Sequence, residues 1–76
     1  MSEAHANTEK LTRMANEIAK AFRAQGHDKA VAGAAEHIGL YWTRKMRADI
    51  YAHLDAGGAG LEPLAMEALK ALRAKA

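Results

Sequence analysis

The stretch AHLDAGGAGLEPLA, residues 52–65, places three glycines within four positions and a proline shortly after them. A dinucleotide-binding loop needs G-x-G-x-x-G directly after a strand, so that backbone amides can approach a pyrophosphate at a helix N-terminus. Here Gly58 and Gly60 supply only the first pair, Pro63 takes the place of the third glycine, and a helical pattern precedes them. The Lys and Ser or Thr of a Walker loop are missing as well. The stretch therefore predicts a turn between two helices, with anion binding as the weaker alternative.

The expected geometry of this turn follows from its residue types. Gly57 or Gly58 is expected to adopt a positive φ and end the preceding helix, and Gly60 to allow the chain to reverse. Pro63 is expected at the first position of the next helix, where its missing N–H costs nothing. Leu61 is expected to pack back on that helix as a hydrophobic staple.

Helical periodicity also describes the rest of the chain, since apolar residues recur at spacings of three and four and no alternating strand pattern occurs. Four helices are indicated. Asn7 or Thr8 is expected to cap the first and Gly26 to end it, while Asp28 and Thr43 are expected to cap the second and third. The apolar stripes of the four helices comprise Leu11, Met14, Ala15, Ile18 and Phe22, then Val31, Ala34, Ala35, Ile38 and Trp42, then Met46, Ile50 and Leu54, and finally Leu64, Ala68, Leu69 and Leu72.

The predicted fold is all-α, a small bundle of three to four helices in a single domain. Residues 1–7 are expected to form a disordered N-terminal tail and residues 8–76 a single helical domain. Half of the 76 residues are hydrophobic, but 19 of them are alanine, which favours helix and fills little volume. Small scaffolds of this kind usually need a disulfide, a metal or a partner chain. The chain has no cysteine and no strong metal motif, so a partner chain is the remaining candidate.

Net charge and sorting signals bear on the kind of partner and on the compartment of the protein. A net charge of +2, from 11 basic and 9 acidic residues, is too weak to argue for nucleic acid. The start MSEAHANTEK has no basic region followed by an apolar one, and no segment approaches a membrane span. We therefore expect a soluble cytoplasmic protein without membrane contact.

The stretch LYWTRKMR, residues 40–47, is the second candidate site because it combines aromatic and basic side chains. Such a surface can stack on bases and neutralise phosphates, but three cations would make a small nucleic-acid footprint. Trp42 can instead lie in the core or at its edge, with the cations solvated. A protein interface is favoured, since Trp, Tyr, Arg and Met are enriched at interface hot spots.

Candidate catalytic and metal-ligating residues are few. Asp49 and His53 lie four apart and could form half of a metal site with His37, but no H-E-x-x-H spacing supports one. An ordinary hydrogen bond between them, or a surface histidine, is the default expectation. Thr8 and Thr43 lie at expected helix caps, and no cysteine nucleophile is present. No catalytic, cofactor-binding or metal-binding residue is predicted.

Four motifs occur in order along the chain: MANEIAKAF (14–22), HDKAVAGAAEHI (27–38), Trp42 followed by Met46 and Arg47, and AHLDAGGAGLEPL (52–64). Together, over roughly residues 9–70, they resemble the delta subunit of the soluble, molybdenum-dependent, NAD-linked formate dehydrogenases. The resemblance implies a small non-catalytic subunit without a cofactor of its own. It further implies a partner catalytic subunit that carries the molybdopterin guanine dinucleotide cofactor, beside subunits with iron–sulfur clusters and flavin.

One departure from that family lies at the junction between helices two and three, where Arg44 stands in the place of a proline and Lys45 in the place of an arginine. An arginine-to-lysine change alters any bidentate contact, so this junction is expected to meet its partner differently. The predicted function is an accessory subunit that docks on the catalytic subunit and supports assembly, cofactor insertion or stability. The alternative is a freestanding helical module that self-associates, as a homo-oligomer, or binds nucleic acid. The predicted partner-binding residues are Tyr41, Trp42, Arg44, Lys45, Met46, Arg47, Gly57, Gly58, Gly60, Leu61, Pro63 and Leu64.

Overall fold

The computed structural model describes the backbone of residues 3–75 and the side chains of residues 7–75. A short 3₁₀ helix, Arg23–Gln25, joins the first two α-helices. No strand occurs within the described residues, and the expected all-α fold is confirmed. The four α-helices are α1 (Glu3–Phe22), α2 (His27–Tyr41), α3 (Arg44–Asp55) and α4 (Pro63–Lys75).

The core lies where the four helices meet. Its largest fully buried side chains are Leu11, Ile38, Ile50 and Leu69, one from each helix. Because every helix contributes one of these residues, the four helices share one core. Helix α1 packs against all three others, and α2 packs most extensively on α4.

Small residues allow α2 and α4 to approach closely, as the alanine-rich pattern of α2 predicts. Ala34 and Ala35 of α2 form a buried cluster with Ala68 of α4. A Cβ added at Gly39 would lie 3.0 Å from Leu72 Cδ1, so the α4 side chain occupies the space that this glycine leaves. Alanine in this chain therefore serves close helix approach rather than core volume.

The beginning of α1 differs from the expected one. The helix begins at Glu3 rather than after a cap at Asn7 or Thr8, so residues 3–7, expected in a tail, are helical. The Asn7 side chain instead donates from Nδ2 to Asp49 Oδ2 of α3 at 2.9 Å, a tertiary contact that local propensity does not reveal. Residues 1 and 2 of the expected tail lie outside the described residues.

The turn between α1 and α2 also differs in detail. Gly26 has φ 94° and ψ 156°, so the expected positive φ is confirmed, but it follows the 3₁₀ helix and not α1 itself. Asp28 does not cap α2, because the helix already begins at His27 and the Asp28 carboxylate lies 3.0 Å from the His27 ring. The negative charge of Asp28 in the first turn of α2 still interacts favourably with the helix dipole.

Candidate docking surface

The glycine turn, which we define as residues 56–62, ends α3 in the way its composition predicts. Gly57, Gly58 and Gly60 have φ of 119°, 65° and 86°. The Gly57 N–H donates to Leu54 O at 3.1 Å and the Gly58 N–H to His53 O at 2.9 Å, which satisfies carbonyls at the end of α3. The expectation that Gly57 or Gly58 ends the helix with a positive φ is confirmed for both residues.

Side chains from neighbouring helices hold the glycine turn in place. Asn16 of α1 donates from Nδ2 to Gly60 O at 2.8 Å and accepts the Glu62 N–H at Oδ1, at 2.9 Å. His53 Nε2 donates to Ala59 O at 2.7 Å. These contacts use polar groups of the turn within the chain, which favours the interpretation of a helix connection over an anion-binding loop.

The residues after the glycines lie partly in the core. Leu61 is only 8% exposed, and Met66 packs against the same core cluster. A Cβ added at Gly58 would lie 2.7 Å from Met66 Cε and 3.4 Å from Leu61 Cδ1, so both side chains border this buried glycine. Pro63 begins α4 as expected and is exposed, while Leu64 is half-buried. Leu61 and Gly58 thus support the surface from within rather than forming it.

The α2–α3 junction, residues 41–47, connects the two helices through two residues, Trp42 and Thr43. The Trp42 N–H donates to Ile38 O at 2.9 Å and ends α2. Thr43 Oγ1 accepts the Met46 N–H at 3.1 Å, which confirms the expected cap of α3. Trp42 is 5% exposed and belongs to the core, whereas the neighbouring Tyr41 is 71% exposed. The change from helix to extended backbone at Trp42 directs the two adjacent side chains to opposite environments.

The cations of the α2–α3 junction differ in their surroundings. Arg44 is exposed, and Lys45 lies at the surface with its Nζ 3.3 Å from Asp49 Oδ2. Arg47 is half-buried, and its Nε has no hydrogen-bond partner among the described residues. An unsatisfied donor of this kind is costly in a folded chain, since water cannot replace the missing acceptor.

An ion pair between Arg73 and Asp55, beside the Tyr51 ring, links α3 to α4. The Arg73 guanidinium lies 2.6 and 2.9 Å from the Asp55 carboxylate oxygens and 5.5 Å from the centre of the Tyr51 ring. The hydrogen bond from Arg73 holds the pKa of Asp55 below its ordinary value. Burial raises the pKa of Tyr51, and the charges of Arg47 and Arg73 oppose that rise.

An apolar groove of about 430 Å³ runs along α1 and reaches the α2–α3 junction. We call it the α1–α2 groove. Glu17, Ala21 and Tyr41 are its exposed rim residues, and Trp42 is the one buried residue of the lining. The groove is lined by Met14, Glu17, Ile18, Ala21, Phe22, His37, Tyr41, Trp42 and Met46.

Aromatic rings follow one another along the α1–α2 groove. The rings of Phe22 and His37 meet edge to face with centroids 6.3 Å apart. The rings of His37 and Tyr41 are 4.7 Å apart at an angle of 40°. The sequence does not identify Phe22 and His37 as surface residues, because the register of α1 against α2 brings them together and no local pattern encodes that register.

The predicted partner-binding residues therefore fall in two places. Tyr41, Trp42 and Met46 line the α1–α2 groove. Gly60 lies on another side of α1, where it borders Thr12 and Asn16. Since successive helix residues turn by about 100°, Thr12 and Asn16 project away from the groove residue Met14. Glu17 borders both regions, so they adjoin along one edge of α1.

The cleft beside the glycine turn contains Asp49 and His53 but not His37, the third residue of the metal site considered above. It has a volume of about 480 Å³. Asp49 accepts from Asn7 and Lys45, while His53 donates to Ala59 O, so of the two default expectations the hydrogen bond between Asp49 and His53 is not formed. No group of three or more His, Asp or Glu side chains within the described residues is arranged to hold a metal ion.

The structure is thus that of a small all-helical protein with an open, largely apolar groove lined by aromatic rings. The chain matches the family profile described as NADH-dependent formate dehydrogenase delta subunit FdsD over residues 10–69, and it belongs to that family. Neither the curated proteins nor the solved structures contain a significant match. Within residues 3–75, no helix combines the length and apolar character that a membrane crossing requires. Family membership supports an accessory-subunit role in a formate dehydrogenase complex.

Proposed function

We propose that this chain is a non-catalytic accessory subunit that docks on the catalytic, molybdenum-cofactor subunit of a formate dehydrogenase. Docking supports assembly, cofactor insertion or stability of the complex. The observation that carries the proposal is the family match, which spans residues 10–69 of a 76-residue chain.

The α1–α2 groove is the surface we assign to docking. It combines an apolar floor with the exposed ring of Tyr41 and two flexible methionines, Met14 and Met46. Aromatic residues and methionine are enriched at protein interfaces, and methionine adapts its shape to a partner. A partner that covers the exposed Tyr41 ring removes apolar surface from water, which favours association.

The mechanism we infer is a shift of population. A chain that binds only one conformation of the catalytic subunit stabilises that conformation by its binding free energy. If that conformation is the one competent for cofactor insertion, or the mature one, the accessory chain raises its population without a chemical step of its own.

Co-expression tests this function. The catalytic subunit is produced with and without the chain, and its molybdenum content and thermal stability are compared. We expect higher molybdenum occupancy or a higher unfolding temperature when the chain is present. Equal occupancy and equal stability in the two preparations would overturn the proposal.

A groove variant sharpens the same experiment. Tyr41→Ala removes an exposed ring and leaves the fold intact, so it should reduce the benefit of the chain. Leu40→Ala is the matched control, because Leu40 is equally exposed at 71% but does not line the groove. An equal effect of the two variants would place docking elsewhere on the chain.

A further inference from the structure

The chain contains its own example of how it binds a cation. Arg73 lies over the Tyr51 ring at 5.5 Å from the centroid and forms two hydrogen bonds with Asp55. The guanidinium is thus held between an aromatic face and a carboxylate. Both components attract it, because the ring face and the carboxylate carry negative potential.

The α1–α2 groove repeats these components without a cation. Tyr51 is the fourth of the four Phe, Tyr and Trp residues in the chain, and the other three line the groove. The groove also holds the His37 ring and one carboxylate, that of Glu17. No lysine or arginine of the described residues lines it.

Glu17 is available to a partner. It is exposed on the α1 rim, and no described residue forms a hydrogen bond or an ion pair with it. Tyr41, on the α2 side, is the exposed aromatic residue of the lining. The two exposed functional groups of the rims are therefore an unpaired carboxylate and an aromatic ring, the pair that Arg73 finds at Asp55 and Tyr51.

We propose that the α1–α2 groove receives an arginine or lysine side chain from an amphipathic segment of the catalytic subunit. This inference rests on the proposed function and names the chemistry of its contact. The cation lies between the Glu17 carboxylate and the Tyr41 ring. Apolar side chains that flank it in the partner segment cover Met14, Ile18 and Met46.

Charge complementarity favours this occupant over a purely apolar one. Arg13 and Lys20 border a second depression together with Glu17, but neither forms an ion pair with it. An apolar segment in the groove would therefore cover the Glu17 carboxylate without supplying a counter-charge, and burying an unpaired charge is costly. A cationic segment satisfies that charge while its aliphatic stem packs against the groove floor. An acidic segment would meet repulsion from Glu17, which disfavours it.

Binding to the catalytic subunit tests the inference with matched variants. The full chain is titrated against the purified catalytic subunit, and the Kd of Glu17→Gln and Glu17→Lys is compared with that of Glu36→Gln and Glu36→Lys. Glu36 is an exposed carboxylate on α2 that does not line the groove. We expect Glu17→Gln to weaken binding by about three- to tenfold and Glu17→Lys by more than about tenfold, while the Glu36 variants bind like wild type.

The ring is tested in the same titration. Tyr41→Phe keeps an aromatic face and should bind like wild type, whereas Tyr41→Leu keeps an apolar side chain but should lose about three- to tenfold. Wild-type binding with equal effects at Glu17 and Glu36 would overturn the cation contact and leave the docking function standing. Absence of wild-type binding would overturn the docking function itself.

A small cationic ligand tests whether the groove binds a guanidinium group in the absence of the catalytic subunit. N-acetyl-arginine amide is added to the isotope-labelled full chain, and the NMR signals of Glu17, His37 and Tyr41 are followed. We expect saturable shifts in the millimolar range that are lost in Glu17→Gln and reduced at high salt. Equal shifts with the neutral N-acetyl-norleucine amide, or no shifts at all, would overturn the inference even if the catalytic subunit binds.

Discussion

The glycine turn and the α2–α3 junction each connect two helices, but they differ in what they leave exposed. The turn directs its polar groups inward, where Asn16 and His53 hold its carbonyls and the Glu62 N–H. The junction buries Trp42 and leaves Tyr41 at the surface beside an open groove. The glycine turn is held by hydrogen bonds within the chain, whereas the α2–α3 junction borders an open groove.

This difference separates buried from exposed residues within the set of predicted partner-binding residues. A composition rich in Trp, Tyr, Met and Arg predicts an interface, yet the same residue types build cores, and burial assigns each residue to one or the other. Trp42 and Leu61 are buried, so their loss is expected to act through stability. Tyr41 is exposed, so its loss is expected to act through binding.

The largest expected effect separates the two neighbours Trp42 and Tyr41. Trp42→Ala should lower the free energy of unfolding by about 3–5 kcal/mol, because it removes a buried ring from the core and leaves a cavity. Tyr41→Ala should change it by less than about 0.5 kcal/mol, as surface substitutions usually do. Urea unfolding followed by circular dichroism measures both. Similar losses in the two variants would mean that the junction does not divide core from surface at this point.

The next effect lies in the glycine turn. Gly58→Ala should lower the free energy of unfolding by about 1–3 kcal/mol, since φ 65° is strained for a residue with a side chain and the new Cβ would lie 2.7 Å from Met66 Cε. Gly39→Ala is the control. Gly39 lies in α2, where alanine is the better helix former, and its Cβ would meet only the flexible end of Leu72 at 3.0 Å.

Thermal unfolding of these two glycine variants tests whether the positive φ of the turn is the reason that glycine occurs there. We expect a clear decrease in unfolding temperature for Gly58→Ala and little change for Gly39→Ala. If the two variants lost equal stability, the positive φ of the turn would not be what selects glycine there.

Much of the fold could be predicted because the decisive signals are local. Thr43 caps α3 and Pro63 begins α4, as their residue types predict, and the glycines adopt the positive φ that ends α3. The expected caps of α1 and α2 were wrong because both helices begin earlier in the sequence, α1 at Glu3 and α2 at His27. Asn7 bonds to Asp49 of another helix, and Asp28 lies against the ring of its neighbour.

The groove could be predicted only in part. Tyr41, Trp42 and Met46 stand out in the sequence as a cluster of residue types that interfaces favour. Glu17 and His37 do not, because they join that cluster only through the packing of α1 against α2, which brings the Phe22 ring against His37. Helical periodicity assigns a residue to a face of its own helix but does not specify which faces of two helices border the same groove.

A smaller effect concerns the tie between α1 and the glycine turn. Asn16→Ala should lower the free energy of unfolding by about 1 kcal/mol, because it removes one acceptor and one donor that hold Glu62 N–H and Gly60 O. Asn16→Asp should keep the bond from the Glu62 N–H and lose the one to Gly60 O, because a carboxylate oxygen accepts but does not donate. Hydrogen exchange of the Glu62 amide reports this bond directly. Equal protection of that amide in wild type and Asn16→Ala would contradict the assigned contact.

The smallest effect is electrostatic and concerns the exposed hydrogen bonds of His27, in contrast to the hydrogen bonds that hold the glycine turn. The hydrogen bond with Asp28 and then that with Glu67 raise the pKa of His27 above its ordinary 6.5. The stabilisation from a raised pKa is fully present below the ordinary value and is lost as the pH rises through the higher value of the folded chain. The stability difference between wild type and His27→Gln should therefore be largest below pH 6.5 and diminish as the pH rises through the higher pKa of His27 in the folded chain. Urea unfolding across that range measures the difference, an NMR titration of the His27 ring gives its pKa, and Glu67→Gln should lower that pKa. Because all three groups lie at the surface, the effect is small, and a stability difference that grows with pH would show that the assigned pairing is absent.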